Sequence, residues 1–119
     1  MDIQTIGIVG AGQMGNGIAH VMAVAGYDVV MTDISQEALD AAVARIGKNL
    51  GRQVSKGTLS AADQAAALAR IRTTLETAEV AQTDLVIEAA TEREEIKQKI
   101  FDALLPHLKP NTILTSNTS

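Results

Sequence analysis

The feature that most constrains this chain is a glycine turn set between two apolar stretches. Residues 3–9 (IQTIGIV) read as a buried strand, and Gly10-Ala11-Gly12-Gln13-Met14-Gly15 follows at once. Residues 13–25 then read as an apolar helix that Gly26 stops from the C′ position. A strand that turns into a helix over GxGxxG leaves few folds open. The first glycine makes the tight turn, the second lets another molecule approach the backbone, and the third lets the helix pack on the strand. Gly17 adds a fourth glycine inside the helix at a cost of ~1 kcal/mol relative to Ala. Close helix–strand packing is the expected reason for it.

The same alternation continues down the chain. Residues 27–32 (YDVVMT) are a second strand ending at Asp33, and Ser35 caps a long helix with Ala38, Leu39, Ala42, Val43, Ile46 and Leu50 on one face. Residues 51–59 are mixed, with Gly51 and Gly57 as breakers. Ser60 and Asp63 have capping-box spacing and start a helix running to about Ala69. Residues 71–75 are a third strand, and a short connector leads to a fourth at 84–90. Thr91 with Glu94 is another capping box, and the helix behind it points Ile96, Ile100, Leu104 and Leu108 inward until Pro106 and Pro110 end it. Thr112–Thr115 is a short buried fifth strand. Strands alternating with helices imply parallel β-α-β units. Right-handed crossovers then give an α/β, Rossmann-type doubly wound parallel sheet in the order 3-2-1-4-5, forming one domain over residues 1–119. Ligands of such sheets sit at the carboxyl ends of the strands, where strands 1 and 4 diverge.

Composition narrows the chemistry. The chain is 46% apolar with one Tyr, one Phe and no Trp, so its core is aliphatic. A net charge of −4 argues against nucleic acid as the main partner. Zero cysteines exclude disulfides, thiolate metal sites and a Cys nucleophile, and fit the cytoplasm. No metal-ligand spacing occurs. The N-terminus lacks a basic region and its apolar run breaks at Gly10, so no signal peptide is expected, and no segment is long enough to span a membrane.

The glycine turn opens a helix, whose first N–H groups are free to hold phosphates. Asp33 follows the last glycine by roughly 20 residues, the separation at which a carboxylate accepts from the adenosine ribose hydroxyls of a dinucleotide. It would repel a 2′-phosphate, and Ile34, Ser35 and Gln36 offer no cation, which predicts NAD over NADP. Arg45, Lys48, Arg52 and Lys56 share one helical face if the helix survives Gly51, and no acid lies between Asp40 and Asp63. The stripe suits a polyanionic ligand portion and equally a solvated face. Glu92, Glu94 and Glu95 read as complements to a helix dipole, and Lys97 as a partner of Glu94. Ser116, Asn117, Thr118 and Ser119 read equally as a polar loop. His20 lies among apolar neighbours in the first helix and reads as a packing residue. His107, beside Pro106, reads as a surface residue.

Three runs together carry a resemblance. GIVGAGQMGNGIAHVMAVAGYDVVMTD, DLVIEAATEREEIKQKIF and the closing SNTS are similar to the NAD-binding domain of L-3-hydroxyacyl-CoA dehydrogenases of the bacterial 3-hydroxybutyryl-CoA type. GxGxMG alone would also suit β-hydroxyacid dehydrogenases; Glu88 to Glu92 and SNTS tilt the choice. The resemblance implies a reversible hydride transfer between NAD and C3 of a 3-hydroxyacyl-CoA in fatty acid metabolism. It implies that Gly10, Gly12, Gln13, Met14 and Gly15 hold the pyrophosphate and Asp33 the adenosine ribose. Ala89, Glu92, Lys97, Asn117 and Ser119 fall along the nicotinamide half, and Ser119 also reaches the substrate oxygen. Lys56 falls on the CoA phosphate, with Asn49 and Arg52 as further contacts; Asn49 stands where the family often has a serine. The family's catalytic His-Glu dyad and its dimer-forming helical domain come later than SNTS. The chain is thus expected to be an N-terminal part of a homodimeric enzyme that binds NAD, turns over little alone and self-associates through its last strand. A stand-alone NAD-responsive module, or part of another β-hydroxyacid dehydrogenase, is the alternative.

Overall fold

The computed structural model describes residues 3–90 and 94–116. Its centre is a five-stranded parallel sheet in the order β3-β2-β1-β4-β5, as the alternation predicts. The strands are β1 (Thr5–Val9), β2 (Asp28–Thr32), β3 (Ile71–Thr74), β4 (Leu85–Glu88) and β5 (Ile113–Ser116). The helices are α1 (Gln13–Ala25), α2 (Gln36–Ser55), α3 (Ala61–Ala69), α4 (Thr77–Ala81) and α5 (Glu94–Leu104). A single 3₁₀ turn, Leu105–His107, follows α5 and contains Pro106.

The pleat divides the core. Ile6, Ile8, Val29 and Met31 face α1, α2 and α3, meeting Ala19, Ala23, Leu39, Ala42, Ile46 and Leu50. Val9, Val30 and Val86 point the other way and pack on Val80, Ala81 and Leu104 of α4 and α5. Helix ends follow sequence chemistry. Ser35 Oγ accepts from Ala38 N at 3.2 Å, and Ser60 Oγ from Asp63 N at 3.0 Å. Gly26 ends α1 with φ 107°, and Tyr27 N donates to Met22 O at 3.0 Å. Arg70 Nη1 reaches the same helix end and donates to Ala23 O at 2.8 Å.

Four expectations need correction. First, α2 does not break at Gly51 but runs to Ser55, because its buried residues Leu39, Ala42, Ile46 and Leu50 hold it through the glycine. Second, the connector between β3 and β4 contains α4, which packs on β1 over Gly7. A Cβ on Gly7 would lie 2.7 Å from Val80 O, so only glycine admits the helix there. Third, Gly17 is exposed and a Cβ there would meet nothing within 4 Å, so close packing does not explain it. Fourth, β5 spans Ile113–Ser116 and is not buried. It is the edge strand, and Ile113 remains 44% exposed. The proposed cap of α5 involves Thr91 and the Glu94 side chain, which lie outside the described residues.

Candidate functional site

The glycine turn is held from both sides. Gly10, at φ 112°, donates its N–H to Thr32 O at 2.8 Å, and Ala11 donates to Asp33 Oδ2 at 2.8 Å. Asp33 Oδ1 accepts from Ile34 N at 2.7 Å. The carboxylate that ends β2 thus fixes the loop that ends β1, and each of its oxygens retains acceptor capacity.

The three glycines differ in what surrounds them. A Cβ on Gly15 would lie 1.8 Å from Gly10 O, and one on Gly10 would lie 2.8 Å from Ala90 Cα. Gly12 is the reverse: a Cβ there would meet nothing within 4 Å. The turn is packed behind and bare in front. No side chain caps α1 at Gly12, and its first intrahelical bond runs from Asn16 N to Gly12 O at 2.9 Å. The preceding helical N–H groups therefore have no partner within the helix. A bare glycine, uncapped N–H groups and a nearby carboxylate fit a dinucleotide: phosphates at Gly12 to Gly15 and a ribose at Asp33.

A cleft of about 640 Å³ opens along this edge. Gly10, Gly12, Asp33 and Ala89 line it together, as the sequence suggests. Ile34 and Leu75, both exposed, add an apolar wall, and α5 contributes Ile96, Lys99, Ile100 and Ala103. Lys99 carries no sign of this role in the sequence. Its spacing from Ile96, Ile100 and Ala103 marks one helical face, but a lysine on an amphipathic helix reads as solvated. A smaller recess of about 300 Å³ lies on the other side of Asp33, lined by Gln13, Asn16, Ala42 and Arg45 among others. Arg45 thus shares a recess with Asp33 as well as belonging to the basic stripe.

The remaining candidates disperse. Met14 is 48% exposed on α1, and Lys97 is 6% exposed on α5. Lys48 and Arg52 are exposed on α2 with Lys56 at its C-cap, so the stripe survives as one face; Asn49 lies beside it and accepts from Arg52 Nη1 at 3.5 Å. His20 is half-buried, its Nε2 2.8 Å from Gln53 Oε1, and His107 is exposed at the far edge of the sheet. Glu92, Asn117 and Ser119 lie outside the described residues. Among the described residues no cluster of His, Cys, Asp or Glu could hold a metal ion, and no helix is long and apolar enough to cross a membrane.

Fold and edge define a doubly wound nucleotide-binding domain. Residues 5–119 match the model of the 3-hydroxyacyl-CoA dehydrogenase NAD-binding domain, and the chain belongs to that family; its cofactor is NAD. A 3-hydroxybutyryl-CoA dehydrogenase of Bradyrhizobium diazoefficiens is 50% identical over 117 residues, covering 98% of this chain and 40% of that protein. The 3-hydroxyadipyl-CoA dehydrogenase of Escherichia coli is 41% identical over 119 residues, 25% of its length. The crystal structure of (S)-3-hydroxybutyryl-CoA dehydrogenase from Ralstonia eutropha superposes with a TM-score of 0.95 at 47% identity, over 99% of this chain and 42% of that one. The chain thus spans less than half the length of these relatives.

Proposed function

We propose that residues 1–119 form the NAD-holding domain of a 3-hydroxyacyl-CoA dehydrogenase of the 3-hydroxybutyryl-CoA type. The observation that carries this is the Asp33 carboxylate bonded to Ala11 N beside the bare face of Gly12. Gly10 to Gly15 hold the pyrophosphate through backbone N–H groups. Asp33 accepts from the adenosine ribose hydroxyls and disfavours a 2′-phosphate. Ala89, Glu92, Lys97, Asn117 and Ser119 line the nicotinamide half. Lys56, with Arg52 and Asn49, meets the CoA phosphate, supported by an exposed cationic face on α2. When bound, NAD supplies a nicotinamide carbon that exchanges hydride with C3 of the 3-hydroxyacyl group.

The chain orients the cofactor, and among the described residues neither histidine stands where it could take the hydroxyl proton. His20 is engaged with Gln53, and His107 lies at the opposite edge. The domain therefore binds NAD and shows little acetoacetyl-CoA-dependent NADH oxidation by itself. NADH fluorescence tests binding cleanly, because the chain has no Trp. Titration is expected to saturate below millimolar cofactor, and Asp33→Ala to weaken binding by about tenfold or more. A flat wild-type titration at millimolar NADH would overturn the proposal.

A further inference from the structure

Glu88 ends β4 with its side chain fully buried, at 0% exposure, where carboxylates are rarely found. Its Oε2 accepts from Ala90 N at 2.6 Å, and its Oε1 accepts from Ser116 Oγ at 2.9 Å. These donors belong to two different chain exits. Ser116 is the last residue of β5 and lies opposite Glu88 in the parallel register. Ala90 follows β4, and its Cα and N are the atoms that a Cβ on Gly10 would strike, at 2.8 and 2.9 Å. One carboxylate therefore ties together the exit of β4, the exit of β5 and the back wall of the glycine turn.

Asp33 marks the adenosine half of the site, on the β2 side of β1. In a doubly wound sheet the second mononucleotide half lies across the switch point, along β4 and β5. Resting on the NAD reading above, we infer that Glu88 is a positioning residue for the nicotinamide half. It sets the spacing of the two strand exits that flank that half. The glycine turn, although backed by Ala90, has its own bonds on the adenosine side, from Gly10 to Thr32 and from Ala11 to Asp33, and these do not involve Glu88. Both oxygens of Glu88 act as acceptors, a role that suits a carboxylate. Glutamine reproduces the pattern by accepting from Ala90 N–H through Oε1 and donating to Ser116 Oγ through Nε2. Alanine removes the bonds to Ala90 and Ser116.

The test separates the two halves by titrating the chain with NADH and with ADP-ribose, which lacks the nicotinamide. Glu88→Ala is expected to weaken NADH by about tenfold and ADP-ribose by less than about twofold, with Glu88→Gln within about threefold of wild type for both. Ser116→Ala, which opens no large cavity, is expected to show the same NADH-selective loss at smaller size, and it decides the matter if Glu88→Ala does not fold. Equal losses for the two ligands would show a general structural role and overturn the inference. So would unchanged NADH affinity in Glu88→Ala or Ser116→Ala. A wild-type chain that binds neither ligand would instead overturn the NAD reading itself.

Discussion

The two edges of the sheet use carboxylates in opposite ways. At the amino edge, Asp84 accepts four hydrogen bonds from the chain around it. Its Oδ2 accepts from Gln4 N at 2.9 Å and from Thr5 N and Thr5 Oγ1 at 3.1 Å, and its Oδ1 accepts from Lys109 Nζ at 3.0 Å. It staples the start of β1, the start of β4 and the approach to β5. At the carboxyl edge, Asp33 and Glu88 also bind chain segments together, but Asp33 borders a cleft and a bare glycine, and Glu88 lies buried behind Ala89 and Ala90 of the same cleft wall. One edge is closed on itself. The other is equally well tied behind its loops and left open in front of them. Rigidity and openness are thus separate properties here, and the carboxyl edge has both.

The carboxyl edge is most vulnerable at Gly15. An Ala there would place its Cβ 1.8 Å from Gly10 O, and backbone cannot yield as a side chain does. Gly15→Ala is expected to abolish NADH binding and to lower the thermal midpoint by more than about 10 °C, read by fluorescence titration and circular dichroism. Asp33→Ala comes next: it takes the support from the loop and the acceptor from the ribose together.

The amino edge has a pH signature. Hydrogen bonds from Gln4 N, Lys109 and Thr5 hold the Asp84 carboxyl below the ordinary carboxylate range. Its folded value is depressed, so its stabilising contribution is full above the unfolded pKa of about 4 and is lost as pH falls through lower values. Asp84→Asn is expected to melt below wild type at pH 7, with the gap narrowing as pH falls below about 4. A gap that stays constant across that range, measured by thermal melts, would show that the staple acts without its charge. The smallest effect is at Gly17. Its open surroundings predict that Gly17→Ala stabilises the chain by roughly 0.5–1 kcal/mol without altering NADH affinity, measurable by denaturant unfolding.

Much of the carboxyl edge was legible in the sequence. The glycine spacing after an apolar run, and a carboxylate at the end of the next one, require little beyond local geometry. Strand order followed from alternation and handedness. What escaped has a tertiary cause. Helix α4 has only five residues, too few to show a period. Gly7 reads as an ordinary strand residue until Val80 lies on it. Glu88 gives no sign of burial, because its partners Ala90 and Ser116 acquire meaning only when β4 and β5 align. Gly51 shows the converse error: a breaker by propensity, it is overridden by the buried face of α2.

The bond from Ala11 to Asp33 joins residues 22 apart in sequence. With the Gly10–Thr32 bond, it ties the turn to the end of β2, the strand paired with β1. The conformational entropy of the turn is therefore lost during folding, and association with the cofactor does not have to order it again. NADH capture by this half of the site should then proceed as a single bimolecular step, its observed rate rising linearly with cofactor concentration.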